Sequence, residues 1–312
     1  MPRLTLLLRG RGRFEGQSLP VELARLLARA NRYADATPGR KPQLQRHFDV
    51  LPRHCPEAPI THELDAGDSI AHAWLRADPS YVQADMTSGR MLACGEMSLS
   101  ADDCDALLQP LRPLFGNEGF PISAPVPQRW YLMLPRDSKP PQCSPPDEVL
   151  GDDLHAHMPE GDAGRRWRRL LNEAQVILHN HPLNAQRIAR GLPPVNSLWF
   201  WGGGVLPDHV RTGYRDVFGE DALLRGLGKL AGVIVQTTPA RLAASPVEQD
   251  TLIDLRGVRE LAALERDWLL PAVAALRKPD VLLLDFADGA RYTIHRGQRW
   301  RFWRRPLASL IN

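Results

Sequence analysis

The chain has 312 residues, 43% of them hydrophobic, which is enough to bury a sizeable core in one large domain or in two unequal lobes. Its formal charge of +3 is small for this length, so the net charge does not indicate a nucleic-acid partner. No apolar run approaches the ~18 residues of a membrane span, and the apolar part of the first residues is too short for a signal peptide. The four cysteines are scattered, and no two are spaced to bind a metal. Together these features predict a cytoplasmic protein with no membrane partner.

The first half of the chain alternates strands with helices. An apolar run at residues 4–8 predicts a short buried strand, and leucines at helical spacing predict a helix from about Pro20. Residues 34–62, rich in proline and charge, are not assigned to any element. The next predicted elements, in chain order, are a short helix at 70–74, strands at 81–87 and 90–93, a helix that Ser100 caps, and a strand at 129–134. The prolines of residues 135–146 forbid regular structure and mark the clearest boundary in the chain.

A second alternation follows this boundary. Its predicted elements, in chain order, are helices at 165–179 and 184–190, a strand at 196–201, a glycine turn at 202–204, a helix at 221–231, strands at 233–236 and 251–255, a helix at 258–276, and a hairpin whose turn contains Asp288-Gly289. Pro271 is expected to kink the long helix. Strands that alternate with helices indicate an α/β fold, in which helices cover both faces of a sheet.

The segment at 179–204, HNHPLNAQRIARGLPPVNSLWFWGGG, combines histidines, asparagines and arginines with a glycine triplet. His179 and His181, like His155 and His157, could share a metal ion, but no third ligand is indicated, and histidines facing the carbonyl groups of a helix end are favoured. Glycines after a strand let backbone amides approach an anion, and a tight structural turn is an equally favoured alternative. The sequence patterns of phosphate loops, dinucleotide-binding turns and nucleophile elbows are absent.

Two clusters join arginine with tryptophan, RRWRR at 165–169 and RWRFWRR at 299–305. Such clusters could stack bases and bind phosphates. In the second cluster, the alternation of a strand would mix arginines and aromatics on both faces. We therefore interpret it as a strand whose aromatic side chains pack and whose arginines stay solvated, and nucleic acid is disfavoured as a partner.

Several patterns resemble known families. The segment HPLNAQRIARGLPPVNSLWFWGGGVLP, at 181–207, resembles part of the archaeal-type, cofactor-independent phosphoglycerate mutases. Nearly the whole chain more closely resembles a bacterial family of regulatory proteins of the RpfE type, which is related to those enzymes. The patterns that carry this second resemblance are Ala77-Asp78-Pro79, RWYL at 129–132, RRWRRLLNEAQ at 165–175, NSLWFWGGG at 196–204 and RFWRRP at 301–306.

The resemblance to the mutases implies a fold of the alkaline phosphatase superfamily, an α/β parallel-sheet core with a smaller inserted α+β lobe. On this basis residues 1–60 and 150–312 are expected to share the core, and residues 61–149 to form the lobe.

The same resemblance implies phosphoryl transfer through a serine or threonine nucleophile held by two metal ions. Those metals would need an Asp-Gly pair after the first strand and a later cluster of Asp and His. Here Arg9-Gly10-Arg11-Gly12 follows the first strand, and residues 250–268 contain no histidine. The metal ligands that the resemblance implies are therefore missing from the sequence.

The favoured interpretation is a non-catalytic, regulatory protein related to the phosphoglycerate mutases, with no catalytic residue, no metal and no cofactor. It predicts a pocket for a small anionic or phosphorylated ligand, and a protein partner is a further candidate. The residues predicted to line the pocket are His181, Asn184, Arg187, Asn196, Gly202, Gly203 and Gly204. A helix cap at Asn184 and a strand start at Asn196 are the structural alternative.

Two other functions stay open. One is an active, metal-dependent phosphoglycerate mutase or a phosphatase-like enzyme of phosphoryl transfer. The other is an adaptor that binds protein or nucleic acid through its arginine and tryptophan surfaces.

Overall fold

The structure is a computed structural model that describes residues 3–84, 89–242, 248–277 and 280–311. The chain divides into two compact units, which we call unit 1 (residues 1–55 and 208–312) and unit 2 (residues 56–207).

In chain order, the strands of the described residues are β1 (Arg3–Leu8), β2 (Asn31–Arg32), β3 (Asp49–Leu51), β4 (Ala73–Ala84), β5 (Gly89–Cys94), β6 (Ile122–Val126), β7 (Arg129–Leu134), β8 (Ser197–Val205), β9 (His209–Arg211), β10 (Asp216–Phe218), β11 (Val235–Gln236), β12 (Thr251–Asp254), β13 (Val281–Phe286) and β14 (Arg291–Ile294).

Helices connect these strands. The α-helices, in chain order, are α1 (Val21–Arg29), α2 (Arg40–Gln45), α3 (Glu57–Asp65), α4 (Ala101–Asn117), α5 (Pro146–Val149), α6 (Gly161–His179), α7 (Leu183–Ala189), α8 (Ala222–Leu230), α9 (Leu261–Leu264) and α10 (Leu270–Ala275). A π-helical turn at Glu265–Leu269 joins α9 to α10. Because this turn ends two residues before Pro271, the local departure from α-helical geometry falls where the proline is expected to distort the helix.

Unit 1 is built on a seven-stranded sheet in the order β11-β10-β12-β1-β13-β14-β2. The five strands from β11 to β13 are parallel, and the hairpin of β13 and β14 begins an antiparallel edge. Leu4, Leu6 and Leu8 of β1 pack in one core cluster with residues of α1, α9 and α10. The alternate residues of β1 point to the opposite face. The predicted α/β fold with a parallel sheet is confirmed.

The predicted hairpin between β13 and β14 is also confirmed. Gly289 lies in its turn with φ +94, a conformation that favours glycine. A Cβ atom at this position would lie 2.0 Å from the carbonyl oxygen of Ala36, so the turn also requires the absence of a side chain.

Unit 2 is an antiparallel sheet with helices. Its central strand β4 pairs with β5, β7 and β8, and β6 pairs with β7. Residues of α4 and α6 pack against this sheet in a second core cluster, which includes Leu107, Leu170 and Leu75. The helix cap expected at Ser100 is confirmed, and it forms a full capping box, because the Ser100 hydroxyl accepts from the Asp103 amide and the Asp103 carboxylate accepts from the Ser100 amide.

An inserted α+β lobe is therefore present, but its expected boundaries are wrong. Residues 150–207 belong to unit 2 and not to the α/β core, and the two units are nearly equal in length. Long-range contacts place these residues in unit 2: β8 pairs with β4 over most of its length, and α6 packs in the core of the same unit. The proline-rich segment at 135–146 is a connection within unit 2.

Two element predictions are also wrong. Residues 70–74 do not form a helix, because a 3-10 turn at Ser69–Ala71 leads into β4. In that strand Ala73, Leu75 and Ala77 pack in one core cluster, and Trp74 between them packs in another, as residues on opposite faces of a strand do. Residues 299–305 do not form a strand either. The expected strand at 81–87 begins within β4, and its residues 85–87 lie outside the described part of the chain. Within the described part, no helix has the length and hydropathy that crossing a membrane requires.

Candidate functional site

The carboxyl ends of the parallel strands of unit 1 form an edge where charged side chains collect. We call this region the carboxyl edge; ligands of open α/β sheets bind at such edges. The charged residues there are Arg9, Arg11, Arg13, Arg40, Arg46, His47, Asp221, Asp254, Arg256, Arg259, Asp285 and Asp288.

Asp285, at the end of β13, is fully buried and lies at the centre of one network. Its Oδ1 accepts from Arg46 Nη2 at 2.6 Å, and its Oδ2 accepts from Arg46 Nε at 3.0 Å. His47 Nε2 lies 2.8 Å from the same Oδ2, and His47 Nδ1 lies 2.9 Å from the Tyr214 hydroxyl. The Tyr214 hydroxyl lies 2.9 Å from Thr5 Oγ1, so the network connects β1 to β13. A neutral His47 satisfies both of its bonds, because Nε2 then donates to Asp285 while Nδ1 accepts from Tyr214.

The pKa shifts agree with this arrangement. Burial lowers the pKa of His47, and the carboxylate of Asp285 offsets only part of that effect. Burial by itself would raise the pKa of Asp285, but the hydrogen bonds from His47 and Arg46 outweigh it and hold the pKa below its ordinary value. At neutral pH the network therefore contains an ionised Asp285 and a neutral His47, and Arg46 carries the balancing charge.

A second network includes the carboxylate at the end of β12 and a carboxylate that follows β10. Arg256 Nε donates to Asp254 Oδ1 at 2.9 Å, and Arg256 Nη2 donates to Asp254 Oδ2 at 2.6 Å. Arg40 Nη1 donates to Asp221 Oδ2 at 2.8 Å, and Arg256 Nη2 lies 3.5 Å from that oxygen. Asp221 also caps α8, since its Oδ1 accepts from the Leu224 amide. Both carboxylates are therefore occupied by arginine.

The loop after β1 adds a third ion pair and an excess of positive charge. Arg11 Nε donates to Asp288 Oδ2 at 2.8 Å. Arg9, Arg13 and Arg259 have no carboxylate partner among the residues that the structure describes, and Arg9 Nε donates to the Arg256 carbonyl group at 3.2 Å. Burial, with the nearby charges of Arg259 and Arg13, lowers the pKa of Arg9. These three arginines repel one another, so an anion bound among them would be stabilised.

The carboxyl edge does not fit the pair of metal ions that the resemblance to the mutases implies. A divalent cation needs oxygen or nitrogen atoms with free lone pairs, and the four carboxylates of this edge already accept from arginine or histidine. Arginine cannot ligate a cation and repels one. Across the described ranges, no group of three or more His, Cys, Asp or Glu could hold a metal ion; the side chain of His155 lies outside them.

The sequence patterns did not predict this cluster, although one signal was present. Asp285 is the only polar residue of the run VLLLDF, and Asp254 ends the strand TLID. A carboxylate in a buried strand requires a charged or hydrogen-bonding partner. The partners Arg46 and His47 lie within residues 34–62, where the sequence predicts no element.

The residues predicted to form an anion pocket lie in unit 2, and they do not converge. Asn184 Nδ2 donates to the carbonyl groups of Leu178 and Val195, and Asn184 Oδ1 accepts from the Val195 amide. Asn196 Oδ1 accepts from the Val82 amide at 2.8 Å, and its Nδ2 donates to the Val82 carbonyl group at 2.7 Å. Both asparagines therefore satisfy backbone groups of the fold. Asn196 directly precedes β8, as the structural alternative expects, but the helix cap expected at Asn184 is wrong, because Asn184 lies inside α7 and forms no capping bond.

Arg187 and His181 also form hydrogen bonds to main-chain groups of unit 2. Arg187 is buried, and it donates to the carbonyl groups of Pro193 at 3.0 Å and Met97 at 2.5 Å. Its Nη1 lies 3.7 Å from Asp103. His181 Nδ1 accepts from the Leu183 amide at the start of α7. The expectation that Arg187 binds an anion is corrected, because main-chain carbonyl groups already hold its guanidinium group.

The glycine triplet is a β-bulge and not a phosphate-binding turn. Trp74 pairs with Gly204 and Arg76 pairs with Trp201, so two residues of β8 face the single Leu75 of β4. Gly202 has φ +65, a left-handed conformation that suits such a bulge. From Ser197 to Gly202, β8 advances about 16 Å, so the glycines lie far from the asparagines at its start.

Replacing Gly203 with alanine tests this structural role. A Cβ atom there would lie 2.5 Å from Pro140 Cβ and 2.9 Å from Leu75 Cδ1, so we expect the free energy of unfolding to fall by about 1–3 kcal/mol. Gly116→Ala is the matched control in unit 2, since a Cβ atom in that helix meets nothing within 4 Å and should be neutral or stabilising. Thermal denaturation of both variants measures the difference. A Gly203→Ala variant as stable as wild type would argue against close packing of the triplet.

A cavity of about 530 Å³ in unit 2 borders the same segment, with His179, Asn180 and Asn196 among its lining residues. Two of its amides are already bonded, since Asn180 donates to the Val176 carbonyl group and Asn196 bonds the backbone of Val82. As far as the structure describes them, the lining residues include no arginine, lysine or carboxylate. This cavity therefore lacks the charge that a site for a phosphorylated ligand requires.

Comparisons with known proteins bear on the resemblance. No family model matches the chain. The 2,3-bisphosphoglycerate-independent phosphoglycerate mutase of Methanosarcina barkeri is 28% identical over 156 residues, which are 47% of this chain and 38% of that protein. The probable enzyme of the same name from Geobacter sulfurreducens is 32% identical over 138 residues, 41% of this chain and 34% of that protein. The chain thus spans about a third of the length of these curated relatives.

Two solved structures are also similar. The cofactor-independent phosphoglycerate mutase from Thermoplasma acidophilum has a TM-score of 0.42 and 16% identity, with 95% of this chain and 90% of that chain covered. A protein from Pyrococcus horikoshii has a TM-score of 0.45 and 11% identity, with 94% and 86% covered. The predicted relationship to 2,3-bisphosphoglycerate-independent phosphoglycerate mutases is supported by the sequence matches.

Proposed function

We propose that this chain is a non-catalytic relative of the phosphoglycerate mutases, regulatory in role as in the RpfE-type proteins, that binds a small phosphorylated or other anionic ligand at the carboxyl edge. One observation carries the proposal. Every carboxylate of that edge is engaged by arginine or histidine, whereas Arg9, Arg13 and Arg259 carry charge that no described carboxylate balances.

The absence of catalysis is inferred from the state of the carboxylates. Phosphoryl transfer through a metal pair needs ligands that surround the cations with negative charge. To serve as such a ligand, Asp285 would have to leave Arg46 and His47 inside a buried network, and an uncompensated guanidinium group would then face the cation. That rearrangement is strongly unfavourable.

The class of ligand follows from the charge that remains. A guanidinium group offers a planar fork of donors that matches a phosphate or carboxylate group with two parallel hydrogen bonds. Arg9 uses only its Nε, in the bond to the Arg256 carbonyl group, and no described residue bonds its terminal nitrogens. The neighbouring Arg13 and Arg259 are exposed. A small anion is the partner that relieves the repulsion among the three.

Inorganic phosphate is the probe for this proposal. We expect phosphate to raise the melting temperature of the wild type, because a ligand that binds only the folded state stabilises it. The Arg9→Ala/Arg259→Ala variant should bind phosphate at least about tenfold more weakly, since each charged hydrogen bond contributes about 1.5–3 kcal/mol. Arg215→Ala is the matched control, an exposed arginine that precedes β10 at the opposite ends of the strands. No shift in the wild type, or equal shifts in all three proteins, would contradict the site.

Metal analysis and a mutase assay test the non-catalytic part of the proposal. We expect the purified protein to contain no stoichiometric divalent metal and to show no phosphoglycerate mutase turnover with added manganese. Bound metal whose removal by a chelator abolishes turnover would instead support an active enzyme, the activity named for the curated relatives. The phosphate experiment is independent of this outcome, so the two parts can fail separately.

A further inference from the structure

The arginine- and tryptophan-rich segment of unit 1 presents its aromatic side chains to solvent. Residues Arg296–Trp300 form a 3-10 helix, and irregular chain follows it. The exposed fractions are 64% for Trp300, 77% for Phe302 and 68% for Trp303. We call these three residues the aromatic platform. The expectation that these aromatics pack and that the arginines stay solvated is therefore wrong for this segment.

The arginines between the aromatics explain this inversion. Arg301 Nη1 donates to the Arg29 carbonyl group at 2.9 Å and to Asn31 Oδ1 at 2.6 Å. Arg304 Nη1 donates to the carbonyl groups of Ala28 and Ala30, each at 3.1 Å. These carbonyl groups belong to the last turn of α1, where a helix leaves its acceptors unsatisfied and its dipole is negative. Two arginines therefore hold the segment against α1, and the rings are left on its outer side.

Two of the rings are in contact with each other, and the third lies beside a further arginine. Phe302 and Trp303 meet edge to face with their centroids 5.6 Å apart, and the guanidinium group of Arg299 lies 4.8 Å from the Trp300 centroid. Large exposed apolar rings that are gathered in one place mark an interaction site more often than isolated ones do. The platform is thus a built surface that consists of rings and guanidinium groups.

A concave pocket adjoins the platform through Arg299, which lines the pocket and also covers Trp300. Its volume is about 410 Å³. Its walls combine apolar side chains such as Leu26 and Ile294 with polar ones such as His295 and Gln298. Arg29 also lines it, and the Nε of Arg29 is buried without a hydrogen-bond partner in the described structure.

The segment that carries the platform has charges of one sign. Residues 289–312 include six arginines and no aspartate or glutamate. The side chains of Arg301 and Arg304 bond the end of α1, whereas the side chains of Arg296, Arg299 and Arg305 form no hydrogen bond or ion pair with the described residues. The surface therefore complements a polyanion, and the net charge of the whole chain conceals this local excess.

We propose that the aromatic platform and the adjoining pocket bind single-stranded nucleic acid. Its bases would stack on Trp300, Phe302 and Trp303, and its phosphates would meet Arg296, Arg299 and Arg305. Protruding rings interleaved with cations are the chemistry of sequence-tolerant binding to unpaired bases. The pocket favours this partner over a lipid surface, because its polar and apolar walls suit one nucleotide whereas a bilayer is flat at this scale. The cations favour it over an apolar protein partner.

Fluorescence anisotropy of a labelled 20-nucleotide oligouridylate and a 20-nucleotide oligothymidylate, titrated with the full chain, tests the proposal. We expect both to bind at 50 mM KCl and to bind more weakly as salt rises. Trp300→Ala/Phe302→Ala/Trp303→Ala should weaken binding at least about tenfold. Arg296→Ala/Arg299→Ala/Arg305→Ala should reduce the slope of log affinity against log salt by about 2, because each neutralised phosphate of a single strand contributes about 0.7 to that slope.

Matched controls keep the result specific to this surface. Ile234→Ala removes an equally exposed apolar side chain of unit 1, and Arg215→Ala removes an exposed arginine; both should bind like the wild type. Circular dichroism checks that each variant is folded. The proposal is overturned if neither oligonucleotide binds at 50 mM KCl, or if the aromatic variant binds as well as the controls. It is also overturned if the platform binds only phosphatidylserine vesicles or a second copy of the chain.

Discussion

Asp285→Ala is expected to lower the free energy of unfolding by about 3–5 kcal/mol, since removing one partner of a buried ion pair leaves the other charge uncompensated. Arg46 would lose both of its bonds to the carboxylate, and His47 would lose the acceptor that orients its ring. The bonds that continue through Tyr214 to Thr5 would lose their anchor on β13. Urea denaturation of the full chain measures the effect.

The control for this variant is Asp35→Ala in the same unit. Asp35 forms an exposed ion pair with Arg32 at 3.2 Å, and such pairs contribute no more than about 1 kcal/mol. If Asp285→Ala were no more destabilising than Asp35→Ala, the buried network would not be a stabilising feature of the parallel sheet.

The same network makes the free energy of unfolding depend on pH. The variant His47→Gln isolates the contribution of His47 to this dependence. The folded protein holds the pKa of His47 below its unfolded value of about 6.5, so this contribution is fully present above about pH 6.5 and is lost as pH falls below it. The pKa of Asp285 is also lowered, so its contribution is present above about pH 3.9 and is lost at lower pH. Between pH 7 and 5, the stability advantage of the wild type over His47→Gln should therefore shrink. A constant difference over this range would contradict a neutral, buried His47.

Asp78→Ala in unit 2 should have an effect of similar size, about 3–5 kcal/mol. The carboxylate is almost wholly buried and accepts three hydrogen bonds from Arg76, at 2.8–2.9 Å. It also accepts from the Trp130 amide at 3.2 Å and from Trp201 Nε1 at 2.7 Å. The Arg76 guanidinium group lies 5.2 Å from the ring centroid of Tyr131 and 5.0 Å from that of Trp201. Removal of Asp78 leaves this buried cation among aromatic rings without an anion.

The double variant Arg76→Met/Asp78→Leu tests whether Asp78→Ala is destabilised by an uncompensated buried charge or by lost packing. It removes both charges and fills much of the space, so we expect it to be less destabilised than Asp78→Ala. Asp105→Ala, which removes an exposed carboxylate of α4, is the control and should cost no more than about 1 kcal/mol. Thermal and urea denaturation report all three values. A double variant less stable than Asp78→Ala would show that the packing of the replaced side chains, and not the uncompensated charge of Arg76, determines the loss of stability.

The residues around Asp78 come from sequence patterns that carried the resemblance to the regulatory family. Asp78 comes from Ala77-Asp78-Pro79 on β4, Trp130 from RWYL on β7, and Trp201 from NSLWFWGGG on β8. The three patterns are distant in sequence and meet around one carboxylate. In unit 2 these residues therefore connect three strands of the sheet through one buried carboxylate.

Local patterns determined much of the secondary structure. The apolar run of β1, the capping box at Ser100 and the turn at Asp288-Gly289 predicted elements that the structure contains, because neighbouring residues supply the burial pattern, the cap and the turn conformation. The missing metal ligands after β1 were expected from the resemblance to the mutases, and the absence of a bound metal stays a prediction.

Only the tertiary structure decided where the functional groups converge. The pairing of β8 with β4 placed residues 150–207 in unit 2 and turned the glycine triplet into a bulge. Asp285 met Arg46 and His47, more than two hundred residues away, and Arg301 and Arg304 found the end of α1, which turned the aromatic platform to solvent. The physical reason is that a local pattern specifies which face of an element is apolar, whereas the partner of a buried charge or of an unsatisfied carbonyl group depends on contacts between residues far apart in the chain.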